Sequence, residues 1–231
     1  QAAKGSQLFA TYTAPAASMS PMWIAKEAGH FSKQGLDVKL IFISGPLGTT
    51  ALLAGEVEAG VIGGLSPVRM AIAGAKELKI IGQTKKYMVG SIVGIPEIKN
   101  PQDLKGRRIG INRFGSNAEI YTSAGVSRFG LDPRRDVIYI QVGDAITGIA
   151  ALQSGAIDAL TTVPPHNLFA AKAGFKTIID LTPLRIPFAA TVLVSTKRAV
   201  DQKTDLLKKF VRGYAEAVHT FLNDPETTAK I

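Results

Sequence analysis

The stretch Ala51-Leu52-Leu53-Ala54-Gly55-Glu56-Val57-Glu58-Ala59 returns a hundred residues later as Ala151-Leu152-Gln153-Ser154-Gly155-Ala156-Ile157-Asp158-Ala159. Both copies carry Ala, Leu, Gly and Ala at the same places, with an acid just before the last Ala. Each reads as a helix, a Gly stop, an acid and a strand, and each runs into a Pro-containing turn. Those turns are Gly64-Leu65-Ser66-Pro67 and Thr162-Val163-Pro164-Pro165. Gly35-Leu36-Asp37-Val38 has a looser echo in Gly130-Leu131-Asp132, with Val137 leading the next strand. A period near 100 is too long for a solenoid and fits two lobes of one α/β topology.

The flanking sequence supports this. Strand-like runs at 8–12, 38–43, 59–62 and 78–81 alternate with helical patterns at 21–28, 49–54 and 67–73. Such alternation predicts βαβ units and mostly parallel sheets flanked by helices. After the second copy come a strand at 187–194 and a helix at 205–222. That helix carries Leu206, Leu207, Phe210, Val211, Tyr214, Val218 and Phe221 as an apolar stripe. Asp224-Pro225-Glu226 starts a further helix, as N-cap, Pro at N1 and acid. These pieces cannot make a third lobe, so the chain is expected to return to the first. The expected division is 1–86 plus 190–231 for one lobe and 87–189 for the other. Two hinge crossings are placed near 84–92 and 186–192. The start at Asp224 lies so close to Ile231 that a longer protein is expected.

Composition narrows the function classes. The 231 residues are 46% hydrophobic and include no cysteine, which rules out a disulfide framework, a thiolate metal site and a Cys nucleophile. The net charge is 27 − 18 = +9. Residues 76–136 hold twelve Lys/Arg against six Asp/Glu, but singly or in pairs such as Lys85-Lys86, Arg107-Arg108 and Arg134-Arg135. That pattern, with 7% aromatics that do not interleave with it, argues against nucleic acid and for a field that attracts small anions. No apolar run is long enough to span a membrane. The start Gln1-Ala2-Ala3-Lys4 lacks the apolar region of a signal peptide, although one could have been removed.

Four phrases in order resemble the sulfonate/taurine/nitrate/thiamine-precursor branch of ABC-transporter substrate-binding proteins. They are Trp23 to Val38, Ala54 to Val61, Asp103-Leu104-Lys105-Gly106-Arg107-Arg108-Ile109-Gly110, and Ala151 to Asp158. The resemblance implies a two-lobed periplasmic-binding-protein fold, a removed signal peptide, a periplasmic or extracytoplasmic location and an inner-membrane ABC permease as partner. It also implies a monomer that needs no cofactor or metal.

In open α/β sheets, ligands sit beyond the carboxyl ends of strands and near helix N-termini. The residues expected there are Ser18, Met19 and Ser20, then Gly45 and Pro46, then Gly64, Leu65 and Ser66. Arg113, Phe114, Gly115, Ser116 and Asn117 follow in the second lobe, with Asp144 and Pro164. Ser20 and Ser66 precede prolines and read as N-caps, and Ser116 with Glu119 reads as a capping box. Arg113 could hold a carboxylate or sulfonate through a bidentate pair. Asp144 is read first as a helix cap; touching ligand, it would favour an amino group. Trp23, Tyr87, Phe114 and Phe188 are candidate walls, with lobe core the alternative. Gly60-Val61-Ile62-Gly63-Gly64 reads as a strand approaching ligand closely. His30, His166 and His219 lack ligand spacing, and His166 is read as structural. No paired catalytic carboxylates, Ser/His/Asp set or phosphate loop is recognisable. The expectation is a non-enzymatic receptor that closes its lobes on a small organic anion in the interlobe cleft. A dehydratase-like enzyme of the same fold and a sensor module are the alternatives.

Overall fold

A computed structural model describes residues 5–231, so the Gln1-Ala2-Ala3-Lys4 start lies outside the described residues. The chain begins β1 (Ser6–Tyr12), α1 (Pro21–Glu27), α2 (His30–Lys33), β2 (Leu36–Phe42), α3 (Leu47–Ala54), β3 (Ala59–Ile62), α4 (Leu65–Ile72), β4 (Leu78–Tyr87). It continues β5 (Ser91–Gly94), β6 (Arg108–Ile111), α5 (Asn117–Arg128), β7 (Ile138–Gln141), α6 (Ala145–Gln153), β8 (Ala159–Thr162), α7 (His166–Lys172), β9 (Lys176–Asp180). It ends β10 (Pro187–Thr196), α8 (Lys197–Gln202), α9 (Thr204–Asn223), α10 (Pro225–Lys230). Two compact units result. One holds the described residues up to Gly63, Pro67–Thr84 and Thr191–Ile231; the other holds Gly64–Ser66 and Lys85–Ala190.

Each unit has a five-stranded sheet, ordered β2-β1-β3-β10-β4 and β7-β6-β8-β5-β9. The expected mostly parallel sheets are mixed ones. β1 runs parallel to β2 and β3, and β10 runs antiparallel to β3. β6 runs parallel to β7 and β8, while β5 is antiparallel to both β8 and β9. The parallel strands are those joined by crossover helices, as parallel pairing requires. β5 lies outside that series and fills the gap that the α7 crossover leaves between β8 and β9.

The sequence repeat explains how the two sheets are locked alike. The Glu58 N–H donates to the Phe9 carbonyl at 2.9 Å and the Phe9 N–H to Glu58 Oε2 at 2.8 Å. In the other unit, the Asp158 N–H donates to the Arg108 carbonyl at 2.9 Å and the Arg108 N–H to Asp158 Oδ2 at 2.8 Å. The repeated acid is therefore a clamp that sets the third strand against the first. Gly55 and Gly155 precede it at φ 81° and 72°, the left-handed helix stop that favours glycine. The side chains then differ: Lys203 Nζ donates to Glu58 Oε1 at 2.7 Å, whereas Arg108 reaches Asp158 with Nε and Nη2 at 3.0 and 2.9 Å.

Cores follow from the periodicities. The α9 stripe buries Leu207, Phe210 and Tyr214, with Leu206, Val211, Val218 and Phe221 at its margin. Phe31 stacks on Phe210 at 5.2 Å, and Gly213 makes this possible, because a Cβ there would lie 2.8 Å from Phe31 Cδ1. In the second unit Ile92, Ile109, Tyr121, Val126 and Ile179 pack together, and Ile149, Leu152, Leu160 and Ala170 form another cluster. Among the described residues, no helix is long and apolar enough to cross a membrane.

Candidate functional site

At the carboxyl end of β6, Ile111 is buried and the chain turns out through Arg113 and Phe114, both exposed. Phe114 anchors the turn: its N–H donates to Gln141 Oε1 at 2.9 Å, and its ring lies 6.3 Å from that of Tyr139. Gly115 takes φ 81°. Ser116 then stands at the N-cap of α5 with extended backbone, but its side chain does not cap. Its hydroxyl donates backwards to the Arg113 carbonyl at 2.6 Å. Glu119 accepts from the Gly115 N–H, one residue before the N-cap, so this bond is not the reciprocal one of the expected capping box. The positive end of a twelve-residue helix thus follows directly on the turn that carries Arg113, with the Glu119 carboxylate in its first turn.

The two other expected helix starts differ from each other. Ser20 is the N-cap residue of α1 with Pro21 opening the helix, as expected, but its backbone is already helical, at φ −51° and ψ −34°, and its side chain makes no cap bond. A 3-10 turn over Ala17–Met19 runs straight into α1, and the Ser20 N–H is already bonded to the Ala17 carbonyl at 3.2 Å. Helix α4 begins at Leu65, so Ser66 and Pro67 fall inside its first turn and Ser66 is buried. The strand ends before both segments are followed by tighter geometry than Ser-Pro spacing suggests.

Other expected residues have identifiable structural work. Asn117 Oδ1 accepts from the Leu65 N–H at 3.2 Å, and its Nδ2 donates to the Ala190 carbonyl at 2.7 Å. Gly64 is small because a Cβ there would lie 1.8 Å from the Ala189 carbonyl oxygen, and Gly60 because a Cβ would lie 2.8 Å from Thr11 Cγ2. Their neighbours are protein, which gives the Gly-rich strand a packing reason. Met19 is buried in the first unit's core, and Ser18 lies in the 3-10 turn. Gly45 takes φ 60° and Pro46 precedes α3 as its N-cap residue. Of the candidate walls, Trp23 packs edge-on to Tyr12 at 4.7 Å and Phe188 edge-on to Tyr121 at 5.8 Å. Tyr87 lies under the Arg185 guanidinium, 4.7 Å from its ring centre, which holds its phenol below the usual range.

Asp144 caps α6, with Oδ1 accepting from the Thr147 N–H at 2.8 Å. Its charge is felt by His166, which opens α7 after the cis Pro164–Pro165 bond. His166 is buried, its ring edge-on to Phe169 at 5.8 Å. Burial pushes its pKa below the ordinary histidine value, and the Val163 carbonyl and Asp144 oppose that only in part. Residue spacing gave no reason to single out His166, Thr162 or Asn167. For Thr162 a comparison of the two repeats is the signal, since Ile62 stands at its place in the first copy, whereas His166 and Asn167 stand opposite Ser66 and Pro67. An open depression of about 620 Å³ lined by Glu97, Lys99, Asn100, Asp103, Lys105, Gly106 and Arg107 is a separate feature. Its Asp103 carboxylate is taken up by the Lys99 and Asn100 N–H groups at 2.9 and 3.1 Å.

Solved structures share this fold. The alkanesulfonate-binding protein SsuA from Xanthomonas axonopodis pv. citri bound to MOPS is 20% identical, covering 99% of this chain and 78% of that one, at TM-score 0.84. The periplasmic aliphatic sulphonate binding protein SsuA from Escherichia coli is 21% identical over 96% and 76%, at TM-score 0.77. The periplasmic nitrate-binding protein NrtA from Synechocystis PCC 6803 is 16% identical over 93% and 61%, at TM-score 0.79. No curated relative matches the sequence. At these identities the likeness speaks for a periplasmic-binding-protein fold. Membership of a family comes instead from the sequence itself: the NMT1/THI5 like model matches residues 16–228, nearly the whole chain, and the chain belongs to that family.

Proposed function

We propose that the chain is an extracytoplasmic solute-binding receptor of an ABC importer, which captures a small organic anion of sulfonate or carboxylate type and delivers it to a permease. The observation that carries the anion reading is the end of β6, where the exposed Arg113 stands in the turn that leads into α5 and the N-cap residue Ser116 makes no side-chain cap bond. A guanidinium and helix N–H groups are complementary to a sulfonate or carboxylate, through charge-assisted bonds. A net charge of +9 draws such solutes in. The family and the fold shared with sulfonate- and nitrate-binding proteins support the receptor role over an enzyme. Hinge closure on the solute belongs to the same proposal, with tighter binding in the closed state as its driving force.

The test is a thermal-shift screen over sulfonates, carboxylates, nitrate and pyrimidines, followed by calorimetry on Arg113 variants. An organic anion is expected to raise the melting temperature, because ligand bound to the native state stabilises it by mass action. Arg113→Ala is expected to weaken that anion by about 1.5–3 kcal/mol, roughly ten- to a hundredfold, with little change in the free protein's stability. Arg113→Lys restores only part, because an ammonium lacks the planar fork. Stabilisation by amines or neutral solutes alone, or equal anion affinity in Arg113→Ala, overturns the reading.

A further inference from the structure

Thr162 closes β8 and His166 opens α7, and the two are 3% and 6% exposed. Neither Thr162 Oγ1 nor Asn167 Oδ1, of the second residue of α7, has a hydrogen-bond partner, and His166 Nδ1 makes no hydrogen bond of good geometry, although the Val163 carbonyl is close enough to act on its ring. Buried polar atoms left unpaired are costly, and natural proteins keep few of them. Strand alternation separates these atoms from their polar neighbours. The Thr161 hydroxyl pairs with that of Thr122 in α5 at 2.6 Å, so Thr162 faces the opposite side of the sheet. That is the side of Leu160, which packs with Ile149 of α6 and Ala170 of α7.

The first unit serves as an internal control. There, β3 ends in the buried Ile62, at the place that Thr162 holds in β8. The repeated topology is thus built with an apolar side chain at the position of Thr162, whereas the place of His166 is held in the first copy by the buried Ser66. The fold does not call for a hydroxyl at the end of β8, and a ligand would account for it.

We infer that Thr162, His166 and Asn167 form an uncharged hydrogen-bonding subsite of the second unit that receives an N–H-bearing, amide-type group of the solute. The inference rests on the reading of the chain as a solute receptor and names a second group on that solute. Asn167 Oδ1 is an acceptor and needs a donor opposite it. A hydroxyl and a neutral imidazole each serve as donor or acceptor, and burial keeps the imidazole neutral. Asp144, close enough to act on His166, disfavours a second anionic group. A carboxamide or urea offers both N–H and C=O without charge. Phe169, edge-on to His166 at 5.8 Å, offers an apolar wall. β6 and β8 are adjacent strands, about 5 Å apart, so the turn that carries Arg113 and the end of β8 lie within the span of one small molecule.

The test uses the whole chain, labelled with ¹⁵N, and three probes: acetamide, acetone of nearly the same shape without N–H, and methanesulfonate. Acetamide is expected to move the Thr162, His166 and Asn167 signals saturably, at least fivefold more tightly than acetone. Thr162→Val and Asn167→Leu are each expected to weaken acetamide about tenfold. The melting temperature without probe should hold or rise, since an unpaired polar group has been removed from the interior. Equal response to acetamide and acetone, or no saturable response, overturns the subsite. So does a fall in melting temperature for Thr162→Val with acetamide binding unchanged, since the hydroxyl would then serve the fold. Methanesulfonate, scored on Arg113→Ala, tests the anion reading separately. Its failure with acetamide intact overturns only the anion reading, and the converse overturns only the subsite.

Discussion

His166 shows how one residue's surroundings set its chemistry. Its ring is buried against Phe169 and near the Asp144 carboxylate, and burial is the larger influence on its pKa. A histidine whose folded pKa is depressed resists protonation while the unfolded chain accepts it. Above about pH 6.5 both states are neutral and the residue adds no pH dependence. As pH falls below that value, the unfolded state gains the proton first and stability is lost, until the folded pKa is also passed. Melting temperatures of the wild type and His166→Leu measured from pH 8 to pH 5 are expected to diverge, with the wild type losing more. Parallel curves would mean that the ring is solvated and titrates alike in both states. Arg113, by contrast, is exposed at a turn, and its substitution should be read in affinity and not in stability.

Among the elements, the acid of the repeat gives the sharpest prediction. Asp158 accepts two bonds from the Arg108 guanidinium and one from its backbone, and Arg108 holds its carboxyl below the usual range. Asp158→Ala leaves the Arg108 N–H and part of its guanidinium without these acceptors, at a cost of about 1–3 kcal/mol. Glu58→Ala loses the Phe9 N–H acceptor and the Lys203 pair, and its cost is expected to be smaller because a single Lys contact replaces a bidentate Arg. Urea unfolding of the two variants checks the order. A wild-type stability that does not fall as pH drops below about 4, toward the depressed Asp158 pKa, would also count against the clamp. The repeat itself was legible because helix stop, acid and strand lie adjacent in sequence. The same locality made β3 readable to the residue and α9 to within one residue at each end. The place of Ser20 before Pro21 was legible but its missing cap bond was not, and Ser66 falls inside α4, because helical backbone ahead of a Ser-Pro pair leaves no local signal. The mixed sheets were not legible, because the sense of β5 and β10 depends on pairings between distant segments. Thr162 and His166 were missed for a related reason: an unpaired atom is a property of three-dimensional surroundings.

At the scale of the whole molecule, the charge is the property that no single residue explains. The chain carries +9, and residues 76–136 contribute twelve positive against six negative side chains, a net +6. Those residues belong mostly to the second unit, which also carries Arg113 and the N-terminus of α5. A field of one sign speeds the arrival of an oppositely charged solute, and salt screens it over about 10 Å at 0.1 M. The association rate of the best anion from the screen is therefore expected to fall several-fold between about 20 mM and 300 mM salt. Its dissociation rate should change much less, because contacts made at the bound site are screened less than the long-range field. Stopped-flow tryptophan fluorescence can follow this, since Trp23 is the single tryptophan and packs at the rim of the first unit's core. Charge-reversing Lys105 and Arg134, both exposed, should lower the association rate without touching the turn at Arg113. Salt-independent association, or a salt effect confined to dissociation, would mean that the basic surface serves solubility and that capture depends on the local site alone.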